Sequence, residues 1–396
     1  MSEKLIIRNF GPIKDVELEI KKVNVIIGEQ ATGKSTIAKV LAVCNYFSYI
    51  IESVGIENNF EKGLEAWGLG EFIKNDTFIY YECDHYSFSA VRVVAKTIDQ
   101  QTNEVFGEFP EFSTTLKPLS DQFKVLINEY NSIKPKQSES YGFLDYTWTI
   151  PTSFFQNDVA SVLDNPFYLP TERGLQSIFS LGKNSIPNIA DSLFNQFANL
   201  DIIARNFKNE TEIEPLNISY KNVDGKGYIR KNNEDKFYSL FNGASGYQST
   251  IPIVLVMKYY AQIRRKRKTF LIEEPELNLF PKAQQELINY LVDNALNLDN
   301  KVLLTTHSPY ILTSLNNLMY AYEVGQKESE EVNKIIDKKY WINAKEIRAY
   351  RLLPNGTAEN IIDTVENLIN AEKIDSVSGI LNEQFDSLLN IELVKK

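Results

Sequence analysis

The residues Gly28-Glu29-Gln30-Ala31-Thr32-Gly33-Lys34-Ser35-Thr36 match the pattern G-x-x-x-x-G-K-[ST]. Glycines let a backbone curl until successive N–H groups face phosphate oxygens, and a helix that opens at the loop adds its dipole. In such a loop Lys34 would lie against the β- and γ-phosphates of a nucleotide, and the Ser35 hydroxyl would ligate Mg²⁺. A second reactive group is Glu273-Glu274, directly after the apolar run Thr269-Phe270-Leu271-Ile272. Carboxylates at the carboxyl end of a buried parallel strand emerge where α/β sheets bind ligands. Glu273 is expected to face the cation through water, and Glu274 to take the proton of an attacking water. His307 follows a further buried run, Lys301–Thr306, and is expected to sense the γ-phosphate. The chemistry these residues suit is Mg²⁺-dependent hydrolysis of a nucleoside triphosphate.

Elements of an α/β fold must position these groups. Val23-Asn24-Val25-Ile26-Ile27 is nearly continuous in apolar residues, as a strand covered on both faces would be. Ile37, Val40, Leu41 and Cys44 then recur at helical spacing, so the loop joins a strand to a helix. Leu5–Ile7 and Val16–Ile20 alternate like paired strands. Residues 187–210, 247–263 and 281–298 read as helices, and Asp224-Gly225 marks a hairpin between Ile218–Tyr220 and Tyr228–Arg230. The alternation of strand and helix through 269–306 implies a parallel sheet. Stretches such as Thr77–Tyr81 and Tyr86–Val94 read as short antiparallel strands in an inserted α+β lobe over 43–165. Ile361, Ile362, Val365, Leu368 and Ile369, then Ile374, Val377, Leu381, Phe385 and Leu388, suggest C-terminal helices. The expected organisation is a split core, 1–42 and 166–325, the inserted lobe, and a strand and helical extension over 326–396.

Composition narrows the setting. With 42 Lys+Arg against 52 Asp+Glu, the net charge of −10 argues against a general nucleic-acid coat, although a local basic patch stays open. Arg264–Lys268 is such a run, but it lies at the wrong end of its strand to touch a nucleotide. Two cysteines form no disulfide framework, and two histidines exclude a His-rich metal site. The other histidine, His85, has no supporting pattern and reads as structural. No apolar run approaches the ~18–20 residues a membrane helix needs, and the N-terminus lacks a signal-peptide pattern. A cytoplasmic protein without membrane partners is expected.

The order of phosphate loop, Ser245-Gly246, Glu273-Glu274 and His307 resembles that of ABC-type ATPases. Phe241-Asn242-Gly243-Ala244-Ser245-Gly246-Tyr247-Gln248-Ser249 is similar to their signature loop, without the second glycine of transporter subunits. Arg8-Asn9-Phe10-Gly11-Pro12-Ile13-Lys14 resembles the opening of RecF/SMC-like and OLD-type ATPases. Glu273–Pro281 is close to their E-E-P-E-x-H-L-x-P, Thr305–Pro309 to their T-H-S-P, and Leu169–Arg173 to a P-A-E-R segment near the Q-loop. Glu273 replaces the usual Asp and Asn278 the usual His, while the Q-loop glutamine is open between Gln176 and the neighbourhood of Glu172. OLD nucleases add a Toprim domain with an Asp-x-Asp, a pattern that does not occur after His307.

The resemblance implies a P-loop ABC-type ATPase core with a mixed sheet, binding ATP and Mg²⁺. It also implies that Ser245 and Gly246 of one chain close on the nucleotide of another, in a head-to-tail dimer or larger homo-oligomer. Its nearest likeness, to stand-alone ATPase subunits of bacterial anti-phage systems, implies a regulator of a separately encoded effector. A DNA-repair ATPase that contacts DNA directly, or a nucleotide-gated scaffold with negligible turnover, are the alternatives.

Overall fold

Alternating apolar residues pair the first two strands. In β1 (Glu3–Phe10) and β2 (Ile13–Ile20), Leu5 faces Leu18 and Ile7 faces Val16, all buried. The structure is a computed structural model that describes residues 3–45, 59–98, 105–121, 124, 166–173, 191–264, 268–370 and 382–388. Strand β3 (Val23–Gly28) leaves this antiparallel pair, and α1 (Lys34–Asn45) follows the phosphate loop. After α2 (Asn59–Ala66), the aromatic stretches form β4 (Ile73–Glu82) and β5 (Tyr86–Ile98), followed by β6 (Val105–Pro118). β4 pairs with β1, so one antiparallel sheet runs β2-β1-β4-β5-β6. His85, at the β4–β5 turn, accepts backbone bonds from Leu119 and Ser120 and sits 3.2 Å from the Ser120 hydroxyl, a structural arrangement.

The second half builds the layer that matters for chemistry. After β7 (Phe167–Leu169) and α3 (Asp191–Arg205), β8 (Thr211–Ile213), β9 (Ile218–Val223), β10 (Lys226–Lys231) and β11 (Tyr238–Ser239) make a small antiparallel sheet. Asp224 and Gly225 turn the β9–β10 hairpin with φ of +52° and +80°, the left-handed pair that Asp-Gly favours. Then come α4 (Ser245–Lys258), continued as a π-helical turn over Tyr259–Arg264, β12 (Thr269–Glu273), α5 (Pro281–Asn297) and β13 (Lys301–Thr306). The described chain continues through α6 (Pro309–Gly325), α7 (Ser329–Ile335), β14 (Ile347–Leu352) and β15 (Ala358–Asn360). A six-stranded sheet has the order β15-β14-β3-β13-β12-β7, parallel except at β15. The fold is therefore the expected α/β type with a mixed sheet. β14 belongs to the stretch assigned to an extension, yet it lies directly beside β3.

The period of two along the strands sorts the side chains into two cores. Val23, Val25, Ile27, Phe270, Ile272, Val302 and Leu304 face a core filled by α3 to α6. Ile26, Leu271, Leu303 and Tyr168 face the other, filled by α1, α2 and the antiparallel sheet. Asn24 is the polar exception, and its amide is spent on Lys21 and on the Val302 carbonyl. No described helix is long and apolar enough to cross a membrane.

The helix expected from Ile361 to Ile369 does not form. The Asp363 carboxylate accepts from the Val365 and Glu366 N–H groups at 2.7 and 2.9 Å, which offers the backbone a turn in place of a helix. Asn367 takes φ +57°, and Ile362 bridges Ile369 across that turn. Residues 382–388 are helical, with Phe385 and Leu388 exposed; Ile374, Val377 and Leu381 lie outside the described residues.

Leu271 is fully buried in a central strand and belongs to the core on the α1 side of the sheet. Leu271→Ala should therefore lower the unfolding free energy by about 2–5 kcal/mol in urea titration. A loss below ~1 kcal/mol would place this side chain outside a packed core.

Candidate functional site

Strand register assembles the site. Glu273 pairs with Thr305, Thr306 with Ile27, and Leu352 with Gly28, so the carboxyl ends of β12, β13, β3 and β14 come level at one edge of the sheet. All candidates from the phosphate loop, Glu273-Glu274 and His307 stand at that edge.

The loop Gly28–Thr36 winds through left-handed positions at Ala31 (φ +61°) and Gly33 (φ +104°), the second open only to glycine at low cost. The Thr32 hydroxyl donates to the Glu29 carbonyl at 2.8 Å and staples the turn. Lys34 is buried at the start of α1, where its ammonium donates to the Gly28 and Glu29 carbonyls at 2.9 and 2.7 Å. Burial pulls its pKa down, and the charges of Glu274, Glu273 and Glu276 oppose that shift. Phosphate loop and acidic turn thus share one electrostatic neighbourhood. Ser35 is exposed beside it, and no acidic residue occupies the first turn of α1 to compete with an anion for the helix dipole.

At the strand end, Glu273 is only 4% exposed, and its Oε1 is buried without a hydrogen-bond partner. The Tyr168 hydroxyl is buried next to it; burial, then the charge and hydrogen bonding of Glu273, hold its pKa well above the usual phenol range. An orphaned carboxylate oxygen at a ligand-facing strand end is a suitable donor to a hydrated divalent cation. Among the described residues no three His, Cys, Asp or Glu side chains form a metal cage. A cation there would draw on Glu273, the Ser35 hydroxyl, water and phosphate oxygens, and the residues present fit Mg²⁺ on those terms.

Glu274 adopts φ +42°, a strained value of order 1–3 kcal/mol for a residue with a side chain. Its N–H donates to the Thr305 carbonyl at 2.8 Å, and its Oε1 lies 3.4 Å from His307 Nε2. Both side chains remain partly open to solvent. Glu276 fixes the histidine's backbone, because its Oε1 accepts from the Thr306 hydroxyl at 2.6 Å and the His307 N–H at 2.9 Å. Its Oε2 is buried without a partner.

Ser245 and Gly246 occupy a separate place, at the N-terminus of α4, where Ser245 is exposed and Gly246 is buried. Ala244 offers no capping side chain, and the Tyr247 N–H turns in to its carbonyl at 2.9 Å, which leaves the N–H groups of Ser245 and Gly246 as the ones an anion could meet. A Cβ on Gly246 would approach the Asn278 carbonyl to 2.7 Å, which fixes the loop against the acidic turn. Asn278 itself takes φ +61°, a left-handed position that asparagine tolerates. The Gln248 amide donates to the Phe241 and Gly243 carbonyls and shapes the loop. Among the described residues no bond joins Ser245 or Gly246 to Gly28–Thr36 of the same chain.

The sequence reading assigned no part to Arg173. This side chain is fully buried and donates to the carbonyls of Pro170, Ser249, Glu273 and Glu274 at 2.6–2.9 Å. Burial lowers its pKa to about 10, with Glu276 and Glu273 opposing, so it stays charged at neutral pH. The signal was its place in the segment Leu169–Arg173 that resembles P-A-E-R, four residues after the end of the buried strand Phe167–Leu169. Glu172 is exposed beside it, and Gln176 lies outside the described residues. Two clefts, of about 420 and 180 Å³, lie elsewhere and contain none of these groups.

The arrangement gathers a buried ammonium, two carboxylates at one strand end and a histidine around a glycine-bent loop, which suits phosphoryl chemistry on a nucleotide. The family profile described as "AAA ATPase domain" matches residues 1–138 and 71–312. No curated protein matches the chain. Among solved structures it is similar to the SMC head domain from Thermotoga maritima (10% identity, TM-score 0.41, 91% of this chain and 98% of that one). It is also similar to an SMC head bound to the C-terminal winged-helix domain of ScpA (12%, 0.44, 91% and 96%). A third likeness is the SMC head with an extended coiled coil from Pyrococcus furiosus, bound to the C-terminal domain of ScpA (11%, 0.39, 96% and 98%). These likenesses are too distant to carry function, whereas the profile spans most of the chain: it belongs to the AAA ATPase domain family.

Proposed function

We propose that the chain is a Mg²⁺-dependent ATPase that closes head to tail around nucleotide and acts as a regulatory switch for a separate effector. The observation that carries the reading is the convergence of Lys34, Glu273, Glu274 and His307 at one sheet edge. Lys34 leaves the Gly28 and Glu29 carbonyls for the phosphates, exchanging neutral acceptors for charged ones. Glu273 and the Ser35 hydroxyl hold the cation, which when bound would neutralise charge on the phosphoryl oxygens. Glu274, partly open to solvent, takes the proton of the attacking water, and His307 at 3.4 Å steadies that carboxylate and reads the γ-phosphate. The open N-terminus of α4 at Ser245-Gly246 serves the neighbour's nucleotide. Regulation of an anti-phage effector is supported by the sequence resemblance alone; phage challenge of cells with wild-type or Glu274→Gln chains is its direct assay.

Lys34→Ala should weaken ATP binding at least about tenfold by calorimetry, since charge-assisted bonds are each worth ~1.5–3 kcal/mol. Equal affinities would remove the loop from the mechanism.

Glu274→Gln keeps size and hydrogen bonding but cannot take a proton, so hydrolysis should fall by something like 10²–10⁴-fold while binding survives. Wild-type turnover in this variant would put the base elsewhere.

Ser245→Arg should block ATP-driven association and leave binding to the single chain intact. Mixed with Lys34→Ala, it should restore at most one working site per dimer. Turnover by a permanently monomeric chain would refute the shared site.

A further inference from the structure

Arg173 is a buried cation whose hydrogen bonds all go to main-chain carbonyls, on three separated segments. Nε grips Ser249 in α4 at 2.8 Å. Nη1 and Nη2 grip the consecutive carbonyls of Glu273 and Glu274 at 2.6 and 2.7 Å, and Nη1 also holds Pro170 at 2.9 Å. A guanidinium is a flat, rigid fork, so these carbonyls are fixed relative to one another in a way that a point charge could not achieve.

Two further facts show what the fork connects. The Ser249 hydroxyl donates to the Leu277 carbonyl at 2.8 Å, a second strut from α4 to the acidic turn. Pro252 has no N–H for the Gln248 carbonyl, so the ladder of α4 is broken beside the residue that Arg173 holds. The N-terminus of this helix carries Ser245 and Gly246. At the other end of the fork, the strained main chain of Glu274 is held by the Thr305 carbonyl on its N–H and by Arg173 and the Leu277 N–H on its carbonyl. A displacement of α4 reaches the peptides on both sides of Glu274 through one side chain.

We infer that Arg173 is a positioning residue that couples the two nucleotide sites of a head-to-tail pair. Seating of Ser245-Gly246 against the neighbour's nucleotide moves α4, and Arg173 passes that movement to the Glu274 of its own chain. The inference rests on the shared-site reading proposed above and adds the direction of communication: from the site a chain completes to the site it owns.

The test uses the full chain with Mg²⁺-ATP and compares wild type with Arg173→Lys, which keeps the charge and loses the fork. ATP affinity, nucleotide-driven association and the ATP dependence of hydrolysis are measured together. The wild type should hydrolyse cooperatively, with a Hill coefficient between about 1 and 2 for two coupled sites. In Arg173→Lys the coefficient should fall to about 1 and kcat should drop by up to about 10²-fold through misplacement of Glu274, while ATP affinity changes far less. A purely structural role would lower thermal stability and affinity together and leave cooperativity intact in the folded fraction.

If Arg173→Lys fails to fold, Ser249→Ala removes the hydroxyl that bonds the Gly246 and Leu277 carbonyls, and with it the second strut from α4 to the acidic turn. It should reduce cooperativity with ATP affinity preserved, and unchanged cooperativity there would overturn the coupling. A wild type that associates and turns over without cooperativity, or a folded Arg173→Lys with wild-type cooperativity, overturns the coupling and leaves the shared site standing. A wild type that stays monomeric with Mg²⁺-ATP overturns both.

Discussion

A parallel strand buried on both faces can offer polar groups only at its ends, and the site obeys that constraint throughout. β3, β13 and β12 are packed above and below by two separate hydrophobic cores. Asn24, whose amide is fully used, is the polar side chain within β3. Chemistry therefore collects where the strands stop, and register decides which residues meet. A slip of one residue between β12 and β13 would carry Glu273 away from Thr305 and turn the strand's side chains to the opposite core. The cores are thus what hold Lys34, Glu273 and His307 within reach of one another.

Level strand ends bring like charges together, which costs free energy unless cations are buried among them. Glu273, Glu274 and Glu276 act on both Lys34 and Arg173. The two differ in freedom. Lys34 is tied to two loop carbonyls that a phosphate can replace, whereas Arg173 is committed to four carbonyls and has no route to solvent. Removing either leaves carboxylates such as Glu273, already short of a partner at Oε1, in a poorer environment. One cation is placed to meet a ligand, and the other to hold the frame.

Much of this was legible in residue order. The phosphate loop, the two acidic residues and His307 each follow a strand-like run, and local pattern suffices when a motif and its element are contiguous. Asp224-Gly225 predicted its hairpin for the same reason: the turn chemistry is contained in two residues. What escaped notice depends on distance. Arg173 acquires its role from carbonyls 76 and 101 residues away, and backbone acceptors leave no trace in side-chain identity. Glu276 reads as one more charge of an acidic turn until Thr306 and His307 are seen to donate to it. The helix expected over 361–369 failed because Asp363 competes for the backbone donors that a helix would use, and apolar spacing cannot weigh that competition.

The strand carrying the phosphate loop has both of its partners far downstream, β13 on one side and β14 on the other. During translation at about 5–20 residues per second, the segment ending at Gly28 waits on the order of tens of seconds before Lys301–Thr306 emerges, and longer for Ile347–Leu352. Until then an apolar strand with unpaired N–H and C=O groups on both edges is exposed, the kind of surface that recruits other chains. Synthesis and nucleotide competence are therefore ordered in time: the loop exists early, but the sheet that gives it an opposing carboxylate and a closed edge is complete only after β14 has docked.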